Sequence, residues 1–312
     1  MPRVVIFVAA VWLLVALGSA PERSGEALLS GEALSRIITI DYSGGTKRSA
    51  NLRFGPLYYS HPDPEGIRAS VSNLAIYAQN AELRAPEGVL IAQAAGQRQA
   101  RFEGGVRVTR GRLTAQGPEL VYSEATGLGV IKGAVEIVVA PPNEGAEPAL
   151  ISASEASFEV DTEVSTSRGE VRLTSGRSTA EADEVVFEEQ RDLAKLTSSR
   201  QVRMVRVDEE GRELIITADE VRVLTADDRL LASGNVTLLS GDTRSRGDTI
   251  FFDDRASRAL ILGSPAEAVN EADGTRTTGA VLEQRTDLDA VRVYSAPIDF
   301  AAEDFALLSE QN

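Results

Sequence analysis

The amino-acid sequence predicts an all-β fold in which a sheet is folded on itself, and three observations carry that prediction. A 65-residue period can be laid over the chain three times without a gap. Its signature segments alternate apolar and polar residues, the pattern of strands with one buried face. Clusters of Gly, Asp, Ser and Arg punctuate those segments where tight turns would fall. A repeat this regular makes the chain an array of one supersecondary unit. It also moves the search for function from a single pocket to a surface or groove running along the array.

The elements follow in chain order. Residues 1–20 read Met1-Pro2-Arg3, then Val4 to Leu17 without a charge, then the small-residue exit Gly18-Ser19-Ala20. That is the form of a secretory signal cleaved after Ala20. The uncharged run from Val4 to Ala20, 17 residues, is also at the lower limit for a membrane anchor. Export is therefore expected, with residues 4–20 either removed or kept as a membrane anchor. Residues 21–66 form a lead-in segment. Arg36 to Tyr42 reads as a strand, Gly44 to Gly66 as irregular, and Glu22 to Ser35 carries weak helical periodicity.

Residues 67–300 are assigned to the array. Gly104-Gly105-Val106-Arg107-Val108-Thr109 recurs as Gly169-Glu170-Val171-Arg172-Leu173-Thr174 and as Gly234-Asn235-Val236-Thr237-Leu238-Leu239. In the same register Leu120-Val121-Tyr122, Val185-Val186-Phe187 and Ile250-Phe251-Phe252 coincide. A weaker intervening set, with Val135, Val202 and the poorer Val269, gives a half-period of about 33 residues. Two strands per half-repeat, each of about 5–8 residues, are expected. They are joined by turns such as Ser240-Gly241-Asp242, with Pro141 to Pro148 as a longer loop. One face of each strand is apolar and the other charged, so the sheet must cover one side only, as a sandwich, a jelly roll or a β-solenoid. Residues 301–312 form a C-terminal tail with some helical character.

Composition removes several classes of function. Cysteine is absent, and with it disulfides, thiol nucleophiles, thiolate metal sites and lipid attachment at cysteine. Loss of the leader would leave 31 basic against 47 acidic side chains. That balance argues against nucleic acid, whose non-specific affinity rests on Lys and Arg, and against electrostatic docking on an anionic membrane. The single histidine, His61, sits in His61-Pro62-Asp63-Pro64 and reads as a turn residue, since neither a triad nor a zinc site can be assembled around it by spacing. Asp227-Asp228, Asp253-Asp254 and Asp287-Leu288-Asp289 lack the calcium-loop pattern and read as solvated turns. No catalytic residue, metal or cofactor is expected. Asn235-Val236-Thr237 fits a glycosylation triplet, yet its repeat position explains it. Arg107, Arg110, Arg112, Arg172 and Arg177 concentrate around two of the Gly-x-Val strands and read as outer-face charge.

The apolar stripe comprises Val106, Val108, Tyr122, Val135, Phe158, Val171, Leu173, Phe187, Val221, Val223, Val236 and Phe252. Periodicity alone makes these residues core of any sandwich. An ordered set of motifs adds to that reading: an alanine, an apolar pair, a variable turn, a small apolar strand, then Gly-x-Val. Thr179 to Phe187 leading to Leu193-Ala194-Lys195-Leu196, and Thr217 to Val223 leading to Leu230 to Val236, both follow it. In this the chain resembles the OstA-like repeat of the lipopolysaccharide-transport proteins, the family of the periplasmic bridge protein LptA and the membrane-anchored LptC. Val71 to Leu83 is similar to the N-terminal strand region of the LptC branch. The resemblance implies an open, V-shaped β-jelly roll. Its apolar inner face would hold acyl chains, its ends would join protomers or other envelope lipid-transport proteins by strand pairing, and contact with lipid phosphates at the groove rim becomes the alternative role of the five arginines. The resemblance thus implies a periplasmic protein, held at the inner membrane if residues 4–20 are kept, that carries lipopolysaccharide or a related glycolipid toward the outer membrane without enzymatic turnover. The rival is a structural envelope scaffold with a closed sandwich or solenoid core.

Overall fold

The computed structural model describes residues 35–311 apart from 142–144, 146, 209–210, 289, 297 and 299. The signal or anchor read in residues 1–20, and most of the helical periodicity read in Glu22 to Ser35, lie outside the described residues. Among the described residues no helix is long and apolar enough to cross a membrane.

Nineteen strands among the described residues join one antiparallel sheet. Six are short: β1 (Thr39–Asp41), β2 (Thr46–Arg48), β3 (Leu57–Ser60), β4 (Ile67–Val71), β5 (Leu74–Ala78) and β6 (Asn80–Arg84). Twelve long ones follow as a meander: β7 (Gln99–Arg110), β8 (Leu113–Ser123), β9 (Leu128–Val139), β10 (Ala149–Glu159), β11 (Val164–Ser175), β12 (Ser178–Glu188), β13 (Leu193–Val207), β14 (Glu213–Leu224), β15 (Arg229–Ser240), β16 (Thr243–Asp253), β17 (Arg258–Asn270) and β18 (Arg276–Arg285). The short β19 (Ala290–Val293) closes the series. The first strands of successive periods, β7, β11 and β15, begin 65 residues apart at Gln99, Val164 and Arg229. One period is thus four strands, two per half-repeat.

The expected strand length does not hold, because the long strands run to between 10 and 15 residues. The number per half-repeat is as expected, but each strand is about twice the expected length because it continues through a crease. The pairing register shifts at Glu103/Val106, Arg168/Val171 and Ser233/Val236, so each Gly-x of the Gly-x-Val signature is an inserted bulge. At all three creases both residues are left-handed, Gly104 and Gly105 at φ 86° and 74°, Gly169 and Glu170 at φ 79° and 51°, Gly234 and Asn235 at φ 77° and 49°. A Cβ on Gly234 would lie 2.5 Å from the Asp219 carboxylate, and one on Gly169 would lie 2.9 Å from the Ser154 Cβ. Glycine is therefore required there by conformation and by space. Asn235 is explained in the same way: it tolerates the left-handed region, and its Nδ2 donates to Asp219 at 2.7 Å.

The creases align and divide the sheet into two walls facing each other. Alternate turns gather along the free edge of each wall. Gly111–Arg112, Pro141, Gly176–Arg177, Asp208 and Gly211–Arg212 edge the first wall. Glu124–Gly127, Val160–Glu163, Gln190–Asp192, Thr225–Asp228 and Asp254–Ser257 edge the second. Inner residues of both walls interdigitate as one core cluster running from Ile38 to Leu282. The short strands continue the walls. β5 pairs with the second half of β7, and β6 with its first half. β1 and β4 follow on one wall, β2 and β3 on the other. Gly44 to Gly66, expected to be irregular, therefore holds β2 and β3, because Leu57 and Tyr59 alternate into the core. Val269 is displaced from the inner face. The crease at Gly263 to Pro265 lets Ala266 and Ala268 point inward instead.

Facing residues come from different repeats. Asn73, between β4 and β5, reaches Glu163. Arg110 and Arg112 reach Glu189 and Asp192, and Arg206 reaches Asp254. In each case the partner lies one or two hairpins further along the second wall, an offset of roughly 10–20 Å at the usual strand spacing. The walls are sheared, and among the described residues the sheet is open at both ends. Among the described residues β1 and β2 each pair on one side only, while Arg276 to Gly279 of β18 pair with β17 but not with β19.

The C-terminal tail crosses the outer face. Its helical character resolves as two short 3-10 helices, Ala302–Phe305 and Leu308–Glu310. Phe305 and Leu307 bury against Leu193, Leu224, Phe251 and Leu260, a second cluster on the opposite side of the sheet from the main core. Phe300 stacks on Phe251 with ring centroids 4.5 Å apart. Polar ties fix the strap along its length. Arg191 donates to the carbonyls of Asp304 and Ala306, Arg222 to that of Phe305, and the Leu308 amide donates to Glu188.

Candidate functional site

All twelve stripe residues lie on the inner faces of the two walls, and none is more than 9% exposed. They alternate with outward-facing neighbours along each strand, and the crease restores the phase where an extra residue intervenes. Arg107 and Arg172 are such outward neighbours, as expected. Arg107 pairs with Glu65 at 2.7 Å and stacks 4.1 Å over the Tyr77 ring, while Arg172 faces Glu181. Arg110 is a correction. It shares the parity of Val106 and Val108, so its side chain turns inward and is 1% exposed. Arg112 and Arg177 also leave the outer face and line the mouth between the walls.

Each inner stripe ends in a rim residue two positions beyond its last apolar member. On the first wall these are Arg110, Val139, Ser175 and Arg206. On the second they are Glu124, Val160, Glu189, Thr225 and Asp254. Glu124, Glu189 and Asp254 stand one 65-residue period apart. An arginine meets each acid from a different part of the chain. Glu124 is fully buried, accepts from Arg98 at 2.6 Å, and also accepts from the amides of Ile38, Gly96 and Arg98. Glu189 receives Arg110, which also donates to the Glu159 carbonyl at 2.5 Å. Asp254 receives Arg206 at 2.7 Å. The sequence reading ended each repeat at its apolar pair and missed this series. Carrying the same register two positions further brings the three acids into line.

Two of these pairs cross the mouth and act as clasps: Arg110–Glu189, supported by Arg112–Asp192 at 2.5 Å, and Arg206–Asp254. Burial pushes the carboxyls of Glu189 and Asp254 above their ordinary range, against the opposing pull of Arg110 and Arg206. The clasps divide the mouth into three polar recesses. The central one measures about 590 Å³, and its lining includes Arg112 and Asp192 of one clasp and Arg206 and Asp254 of the other. Recesses of about 180 Å³ and 290 Å³ lie beyond the clasps. Under the central recess opens an apolar cleft of about 60 Å³, walled by Leu173, Met204, Ile216, Val223, Leu230 and Phe252. A polar chamber above an apolar slot has the form of a site for an amphiphile.

The remaining candidates occupy turns. His61 lies between β3 and β4, where its Nδ1 accepts from the Asp63 amide at 3.0 Å. Asp227 pairs with Arg229, Asp228 with Arg255 and Asp287 with Arg285, and Asp253 accepts from the Ala256 amide. Asp289 lies outside the described residues.

Comparison with known proteins bears on this geometry. Residues 150–258 match the family described as LptA/(LptD N-terminal domain) LPS transport protein. The match spans β10 to β16, and the four-strand period extends on both sides of it. Among solved structures, LptH of Pseudomonas aeruginosa, described as the LptA homologous periplasmic component of the conserved lipopolysaccharide transport device, is 10% identical. The match covers 43% of this chain and 94% of that one, with a TM-score of 0.36. No curated protein matches the chain.

Proposed function

We propose that this protein shields the acyl chains of lipopolysaccharide or a related envelope glycolipid in the periplasm and passes the lipid toward the outer membrane, without enzymatic turnover. The observation that carries the reading is the apolar inner face, continuous over three periods and reached through a polar mouth between two walls. The family match of residues 150–258 supports the same reading. Transfer from membrane to groove exchanges one apolar environment for another, so each methylene keeps most of the roughly 0.8 kcal/mol it would lose in water. A lipid can then advance without falling into a deep well. Among the described residues, Arg276 to Gly279 of β18 have no ladder partner on the side away from β17, and we assign this edge to strand addition by a second copy or another envelope lipid-transport protein. A photo-crosslinking residue at Phe187 or Val223 is expected to capture lipid in cells. Crosslinks to protein alone would favour the closed scaffold instead.

A further inference from the structure

The central recess differs from the two beside it. It is the largest, it is bounded at both ends by clasps, and the apolar cleft opens beneath it. Its rim positions are Val139, Ser175 and Thr225, small and uncharged. The period places Ser175 at the position Arg110 occupies one repeat earlier. Where an arginine would have crossed the mouth toward Asp254, a serine leaves it clear, and Arg206 takes that carboxylate from one half-repeat further on. The gap follows from a substitution within the repeat.

We infer that this gap is a lateral port that docks a single amphiphile, with its headgroup in the recess and an acyl chain in the cleft, held in place by the clasps on either side. The inference rests on the lipid-binding reading above and specifies where loading occurs. The recess also indicates the headgroup. Arg112, Arg177, Arg206 and Arg255 face it together with Glu147, Asp192, Asp228 and Asp254. Four cations against four anions leave no net charge to attract a phosphate, while their alternation supplies donors and acceptors together. A neutral, hydroxyl-rich headgroup such as a saccharide can use both, since each hydroxyl donates once and accepts twice.

The test uses the purified chain and dodecyl maltoside carrying a photoreactive group at the end of its alkyl chain, with labelled peptides identified by mass spectrometry. Saturable labelling of Met204, Leu214 or Phe252 is expected, displaced by unlabelled dodecyl maltoside but not by free maltose. Thr225→Trp, which fills the rim, is expected to weaken labelling about tenfold, a change of one decade in affinity. Arg172→Trp, on the outer face, is expected to leave it unchanged. Ser178→Trp, on the opposite edge of the recess, provides a second blocking variant if Thr225→Trp lowers the melting temperature. Labelling concentrated beyond a clasp, at Ile76 or Val108, would overturn the port while leaving the lipid-binding reading intact. Absence of saturable labelling anywhere on the inner face would overturn both. Displacement by dodecyl phosphate in preference to dodecyl maltoside would overturn the assignment of a neutral headgroup.

Discussion

At the scale of single residues, the mouth is governed by charges placed where an apolar stripe runs out. Arg110 is almost fully buried, and Glu189 provides its counter-charge. Removing one member of such a pair leaves the other desolvated and unanswered, which costs far more than the pair itself is worth. Glu189→Leu is therefore expected to lower unfolding free energy by about 3–5 kcal/mol. The double variant Arg110→Met, Glu189→Leu is expected to recover most of that loss in a denaturant titration. Equal losses in the two variants would contradict the clasp. The raised carboxyls add a pH signature. A carboxyl held above its ordinary range by burial favours the folded state below its unfolded pKa, and that contribution fades as pH rises through the folded value. Glu189→Gln is thus expected to flatten the dependence of stability on pH just above the ordinary carboxylate range. The stripe residues themselves were legible from alternation alone. The rim acids were not, because a lone Glu or Asp after an apolar pair resembles the start of a turn until three of them are aligned at one period.

At the scale of elements, the crease and the strap decide the shape. A left-handed position costs an L-residue about 1–2 kcal/mol, so Gly234→Ala is expected to destabilise by at least about that much, with the contact at Asp219 adding to it. Glu170 already carries the strain, and Glu170→Gly is expected to raise the melting temperature. A fall would show that its side chain contributes more than the backbone loses. The existence and count of strands per half-repeat could be read from the sequence, since alternation and turn clusters are local. Their length could not, because a bulge inside a strand and a turn between two strands use the same residues, Gly followed by a small or polar partner. The strap was equally hidden. Phe251 reads as the middle of an apolar pair, and only the arrival of Phe300 and Phe305 from the far end of the chain shows that it faces outward. Hydrogen bonds from Arg222, with help from Lys195, hold the Glu310 carboxyl down to about 2. Depression of an acid stabilises the docked form above its ordinary pKa, and the effect is lost as pH falls through the lowered value. A dye attached at the exposed position of Leu308 is expected to report a docked strap near neutral pH and its release as pH drops from about 4.5 toward 2. Glu310→Gln is expected to remove most of that transition.

At the scale of the whole molecule, the proposed strand addition would make one chain a segment of something longer. β2 guards one end with Lys47 and Arg48, whereas Thr277, Thr278, Gly279 and Ala280 of the β18 edge carry no charge to discourage a partner. Sedimentation at rising concentration is expected to show head-to-tail growth, and Thr278→Pro, which removes a ladder donor, is expected to reduce it. A strict monomer at high concentration would exclude pairing at this edge. The shear between the walls sets a further rule, one of arithmetic. Arg110 looks across at the third turn of the opposite wall, which holds Glu189. Deleting one period of four strands would bring Asp254 into that place, and the buried cation would still meet an acid. Deleting a single hairpin would bring Thr225 there and leave the cation stranded. The array can therefore be lengthened or shortened only in even numbers of hairpins, so gene duplications that preserve it must come in units of 65 codons.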